Sequence, residues 1–231
     1  MNTESFLDKI HTRGYLKVII RPKTFVSKRI ADISSLVPLI DKINVEIRGG
    51  DFPHVNPRKP PTIGIDWIEE LEDWLHIKSC WRFYQSGLFI FESGIGFDWR
   101  DESTSFWPPE EGWKPGSFIG VGDIVYTFTE ILEFASRLAF SNAGDEIMYL
   151  NIGLFNIQGR ALYVDDPHKW SFRTEYKASI NEFPYELEIS RTELIATKND
   201  LALSAALEVF KRFRWNTNIE LLKGWQDNIG K

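Results

Sequence analysis

One cysteine stands among 231 residues, Cys80, which excludes an internal disulfide and any zinc site built from several thiolates. It lies between Ser79 and Trp81 in an apolar stretch, the setting of core filler rather than a nucleophile, and such thiol scarcity fits a reducing cytoplasm. Long hydrophobic runs are also missing. The nearest tract, Phe118 to Phe140, is interrupted by Asp123, Glu130, Glu133 and Arg137 and predicts a soluble helix, not a membrane span. The first twenty residues mix Glu4, Asp8, Lys9, Arg13 and Lys17 with apolar positions, unlike a secretory signal. A cytoplasmic protein with no membrane partner is expected. Catalytic signatures are absent as well: no GxxxxGK[ST], GxSxG, HExxH or paired-cysteine pattern occurs. The glycine pairs at Gly94–Gly96 and Gly120–Gly122 lack the full strand, loop and helix frame of a nucleotide site. At the second pair, Asp123 is expected at the helix cap, where it repels an anion. No cofactor and no metal is expected.

Positive charge is in short supply, with 27 Lys and Arg against 33 Asp and Glu and a net charge of −6. It is also unevenly spread. Residues 1–59 hold eleven cations and six carboxylates, and residues 60–231 hold sixteen and twenty-seven. The basic start is expected to pack on the acidic remainder. A nucleic-acid contact through Lys17, Arg21, Lys23, Lys28 and Arg29 is the alternative, disfavoured because non-specific nucleic-acid affinity comes from a positive field.

What the chain has in plenty is apolar and aromatic material: 43% hydrophobic residues, nine Trp and seventeen Phe. That is far from the composition of a disordered chain. Phe6, Leu7 and Ile10 at helical spacing predict an opening helix, and "YLKVIIRP" a strand buried on both faces. Asp32, Ser34 and Ser35 offer caps for a helix with Pro38 in its first turn. "INVEIR" alternates with period two as a further strand. "CWRFYQSGLFIFES" is the strongest hairpin signal, and "DIVYTFTEILEFASRLAFSNAG" the strongest helix. "EIMYLNIGLFNIQGRALYV" predicts two strands meeting near Gln158 and Gly159. Ser190 with Glu193, and Thr217 with Glu220, make capping boxes for two C-terminal helices. The expectation is an α+β fold in a single domain, 1–231. A mainly antiparallel sheet is joined by an opening helix–strand–helix–strand unit, one long central helix and C-terminal helices.

Three groups of residues are candidates for function. The aromatic hairpin and the Trp-rich loop after it offer Trp81, Arg82, Tyr84, Trp107 and Trp113 as contacts for a protein partner or for self-association, because aromatics and arginine dominate interface hot spots. "RGGDFPHVN" concentrates two glycines, an aromatic, a proline and one of only four histidines. Read as a corner that fixes a strand end, with His54 bracing the loop through Asp51, it still offers Arg48, Asp51 and His54 as secondary ligand contacts. "VDDPHKW" places Asp165, Asp166 and His168 where a divalent metal or general base could be assembled for a nuclease or hydrolase. Aspartates and proline also begin turns, and a turn is the preferred reading.

The order of phrases adds a resemblance. "GYLKVIIRP", "IRGGDFPHV", "WRFYQSGLFIF", "FDWR", "TEILEFASRLAF", "GRALYVDDP" and "DLALSAALEVFKRFRW" follow one another along most of the chain. In this order they resemble the region C-terminal to the Schlafen-like AlbA domain of some bacterial putative DNA-binding proteins. The AlbA domain itself, to which nucleic-acid or nucleotide chemistry is attributed, has no counterpart here. The resemblance implies a non-enzymatic binding or sensing module, an accessory component of a bacterial regulatory or antiviral defence system.

Overall fold

The computed structural model describes residues 2–102 and 113–228. Helix α1 (Thr3–His11) starts at Asn2, whose side chain accepts from Ser5 N, and leads into strand β1 (Tyr15–Pro22). Asp32 caps a 3-10 turn at Ile33–Ser35 that runs into α2 (Leu36–Ile43). The alternating "INVEIR" shrinks to the two-residue strand β2 (Val45–Glu46), paired with β3 (Asp51–Phe52). Phe52 tucks into the core edge-on to Phe91 and Phe134. After the proline-rich stretch come β4 (Thr62–Ile63), β5 (Trp67–Trp74), β6 (Ile77–Tyr84) and β7 (Phe89–Gly94). The β6–β7 hairpin turns at Gln85 to Leu88, with Gly87 at φ 85°.

A 3-10 helix (Gly96–Glu102) precedes the undescribed segment, and β8 (Phe118–Gly120) feeds the long helix α3 (Val121–Phe140). Then follow β9 (Ile147–Phe155), β10 (Ala161–Tyr163), β11 (Glu182–Ser190), α4 (Arg191–Arg212) and α5 (Ile219–Gln226). Ser190 caps α4 by accepting from Glu193 N. At α5 the cap moves one residue on: Asn218, not Thr217, accepts from Leu221 N, and the buried Thr217 hydroxyl has no hydrogen-bond partner among the described residues. The two strands expected to meet near Gly159 do not pair with each other. β9 enters the main sheet, whereas β10 pairs in parallel with β8.

The fold is α+β. Seven antiparallel strands form one sheet in the order β11-β9-β1-β7-β6-β5-β4. Alternate residues on each strand face opposite ways, so each side of the sheet has its own character. One side carries Leu16, Val18, Ile20, Trp81, Phe83, Phe89, Phe91, Leu150 and Ile152 into a core shared with α2, α3 and α4. The other side receives α1, whose Phe6 and Ile10 pack on Cys80, Tyr15 and Leu71, and the 3-10 helix Gly96–Glu102, whose Trp99 and Glu102 meet Lys78 of β6. Strand β1 lies between β9 and β7 and alternates fully buried with half-buried residues, so the expectation of burial on both faces is corrected. Among the described residues no helix is long and apolar enough to cross a membrane.

Candidate functional site: the open face of the sheet

The side that α1 covers only in part brings together residues far apart in sequence. Strand register lines up Glu186, Asn151, Ile19, Ile90, Arg82 and Glu69 in one row across β11, β9, β1, β7, β6 and β5. One step along, Glu188, Tyr149 and Arg21 are level on β11, β9 and β1, and Tyr84 is level with Trp67 on β6 and β5. Ile19, Ile90, Arg21, Arg82, Tyr84, Tyr149 and Trp67 are all half-buried, and the β11 glutamates are exposed. Helix α1 reaches the first row at its β5 end, where Thr3 donates to Glu69 Oε1 at 2.5 Å.

Two arginines lie over aromatic rings here. The Arg82 guanidinium sits 4.5 Å from the Trp67 ring centre, and that of Arg21 sits 4.6 Å from Tyr149. Such contacts keep a charged side chain ordered while leaving its outer face to a partner. Carboxylates answer most of the remaining charge. Arg82 Nε donates to Glu69 Oε2 at 2.8 Å, Lys17 Nζ is 2.9 Å from Glu92, and Lys23 Nζ is 2.5 Å from Glu188. Burial pulls against the Arg82 guanidinium, but its bonds to Tyr84 and Glu69 hold its pKa above the ordinary value.

Of the sequence candidates, Arg82, Tyr84, Lys17 and Arg21 share this face, with Lys23 just past the end of β1. Trp81 does not. It is 1% exposed, on the core side, with its indole N–H donating to His54 O at 2.6 Å, so it offers nothing to a partner. Lys28 is exposed in the loop after β1, and Arg29 is turned to Gly144 O and Asp145. Trp113 is half-buried beyond the Gly94 end of β7 and donates to Phe97 O at 3.1 Å. Trp107 lies outside the described residues. Trp67, Tyr149, Ile19 and Ile90 were missed by sequence reasoning, although their period-two parity with Arg82 and Arg21 carried a signal.

No family model, curated protein or solved structure matches this chain. The remaining candidates therefore stand on geometry alone. "RGGDFPHVN" is tied down at both ends. Arg48 reaches α3, with Nε 3.0 Å from Glu130 Oε1, Nη1 3.0 Å from Asp123 and Nη2 donating to Thr127. His54 Nδ1 is 2.6 Å from Asp51 Oδ1, while Asp51 Oδ2 accepts from Val55 N. Burial works against the charged imidazole, but the Asp51 hydrogen bond and the Glu72, Asp51 and Glu70 charges win and raise its pKa.

The acidic turn divides: His168 Nδ1 stays 3.3 Å from Asp166 Oδ1, whereas Asp165 turns away to α3. Asp165 accepts from Gly122 N at 2.7 Å and Asp123 N at 2.9 Å, capping α3 from 42 residues downstream. Asp123, expected in that role, lies inside the first turn of the helix instead, with Gly120 at the N-cap position. Burial raises the Asp165 carboxyl against the pull of those two N–H groups. Asp166 instead accepts from His168 N, which lowers its pKa, and the His168 ring points into solvent with 92% of its side chain exposed. Among the described residues no group of three His, Cys, Asp or Glu is placed to hold a metal ion. Burial pushes the Cys80 thiol up to about 12, so little thiolate exists near neutrality.

Proposed function

We propose that the chain is a binding module without catalytic chemistry of its own, and that a protein partner docks on the open rows of the sheet. The observation that carries this reading is the pair of cation–aromatic contacts, Arg82 on Trp67 and Arg21 on Tyr149, flanking half-buried Ile19 and Ile90 on a face that α1 covers only in part. Aromatic rings, arginine and a small apolar centre are the composition of an interface hot spot. A protein is favoured over nucleic acid because Lys17, Lys23 and Arg82 each have a carboxylate beside them, leaving little free positive field. The phrase-by-phrase resemblance supports an accessory place in a bacterial regulatory or antiviral defence system, with a separate effector.

Ile19→Lys puts a third cation between Arg21 and Lys17 without touching the core side of β1. Tagged native chain, Ile19→Lys and the distant surface variant Lys211→Ala are to be compared by light scattering for self-association and by capture from the native host. The expected result is a complex kept by Lys211→Ala and lost by Ile19→Lys. If Ile19→Lys retains every complex that the native chain forms, or if the native chain cleaves DNA or RNA with Mg²⁺ or Mn²⁺, the reading fails.

A further inference from the structure

On the opposite side of the molecule, α3 presents Glu133, Ser136, Arg137 and Phe140 at spacings of three, four and seven residues, one stripe along the helix. This stripe is the floor of a groove of about 320 Å³ whose walls are Lys42 and Ile43 at the end of α2 and Ile195 and Lys198 near the start of α4. Phe140 is 51% and Ile195 46% exposed, so the groove offers two large apolar side chains to a visitor.

Its charge runs against that of the whole chain. Glu133 is shared by Arg137 at 2.8 Å and Lys198 at 2.5 Å, one carboxylate for two cations. The two cations hold the Glu133 carboxyl below the ordinary range despite its burial. Lys42 is exposed and makes no ion pair among the described residues. The groove thus carries a surplus of positive charge on a protein of net charge −6.

From this combination we propose that the α2–α3–α4 groove docks an acidic protein segment bearing a bulky apolar side chain. The apolar group seats between Phe140 and Ile195, and the carboxylates face Lys42, Arg137 and Lys198. Charge complementarity selects the sign of the partner, and the apolar pair selects a protein segment over a bare polyanion. The site shares no residue with the open sheet face, so the two readings stand or fall separately.

The probe is a fluorescein-labelled peptide, Glu-Asp-Glu-Leu-Phe-Glu-Asp-Glu, measured by anisotropy against two controls. One control replaces the Leu-Phe pair by Gly-Ser, and the other replaces every acid by Lys. The acidic apolar peptide is expected to bind saturably and about tenfold more tightly than either control. Lys42→Glu and Ile195→Asp, both at exposed positions, are each expected to weaken it about tenfold while Ile19→Lys leaves it unchanged. Circular dichroism melts of both variants confirm that they remain folded. Absence of saturable binding, equal binding of the Gly-Ser control, which indicates a simple polyanion site, or binding unaffected by Lys42→Glu overturns the proposal.

Discussion

Glu130 lies on α3 with only 4% of its side chain exposed, and among the described residues Arg48 is the cation that stands against the cost of burying its charge. Burial prevails over the Arg48 charge and hydrogen bonds, helped by nearby Asp123, and pushes the carboxyl from 4.5 up to about 6. Between those values the folded chain keeps a proton that the unfolded chain has released. This group's contribution to stability is therefore whole below pH 4.5 and is lost as pH rises through about 6. Glu130→Gln keeps an acceptor for Arg48 without the ionisation. Relative to the native chain, the variant is expected to gain ~2 kcal/mol between pH 4 and pH 7, following the free energy of a pKa shift of this size. Urea unfolding at both pH values measures it, and a difference that does not change with pH contradicts the assignment. Glu130 together with Asp123 and Thr127 turns Arg48 away from the role of a ligand contact: each of its three donor nitrogens bonds a side chain of α3.

Among the elements, the segment after β7 is fastened by one fully buried ion pair. Asp98, in the 3-10 helix, accepts from Arg160 Nη1 at 2.7 Å and Nη2 at 2.5 Å, from Gly14 N at 2.9 Å and from Gly116 N at 2.8 Å. One carboxylate thereby joins the start of β1, the approach to β8 and the approach to β10. A Cβ on Gly14 would lie 2.2 Å from Arg160 Nη2, which accounts for glycine there. Asp98→Ala strands a guanidinium at 2% exposure and is expected to cost about 3–5 kcal/mol. The double variant with Arg160→Met is expected to lose less than the single one, as removal of both charges ends the mismatch. Denaturant midpoints of the two variants decide this. Nothing in "FDWR" or "QGRALY" announces that link, because a pair separated by 62 residues leaves no local pattern. Elements set by local pattern were legible: the β6–β7 hairpin, α3 and the Ser190 cap. The β8–β10 pairing was not, since the parallel partner lies some forty residues away. The site was half legible for the same reason. Alternation along β6 shows that Trp81 and Arg82 face opposite ways, yet only the register of β9, β1 and β7 brings Tyr149 and Arg21 to the same face as Arg82.

At the scale of the whole molecule, the basic beginning and the acidic remainder meet as ion pairs. Lys9 reaches Asp73 and Glu102, Arg13 reaches Asp101, Lys17 reaches Glu92, Lys23 reaches Glu188, Arg29 reaches Asp145, and Arg48 reaches Asp123 and Glu130. The pairs exposed on both sides, such as Lys23–Glu188, contribute little stability, roughly 0–1 kcal/mol each. Their larger effect is on the outer field, because a cation beside its own carboxylate attracts no distant phosphate. Nucleic-acid binding rises with the number of phosphates neutralised and falls steeply with salt. With Lys17, Lys23 and Arg29 already paired and net charge at −6, labelled single-stranded DNA and RNA are expected to show no saturable anisotropy change at physiological salt. Glu92→Gln with Glu188→Gln frees Lys17 and Lys23 on the open face and serves as the sensitised control. If weak, salt-sensitive binding emerges in that variant alone, the carboxylates are what keep nucleic acid off this surface. Saturable, steeply salt-dependent binding by the native chain would instead transfer the open face from protein docking to nucleic-acid contact.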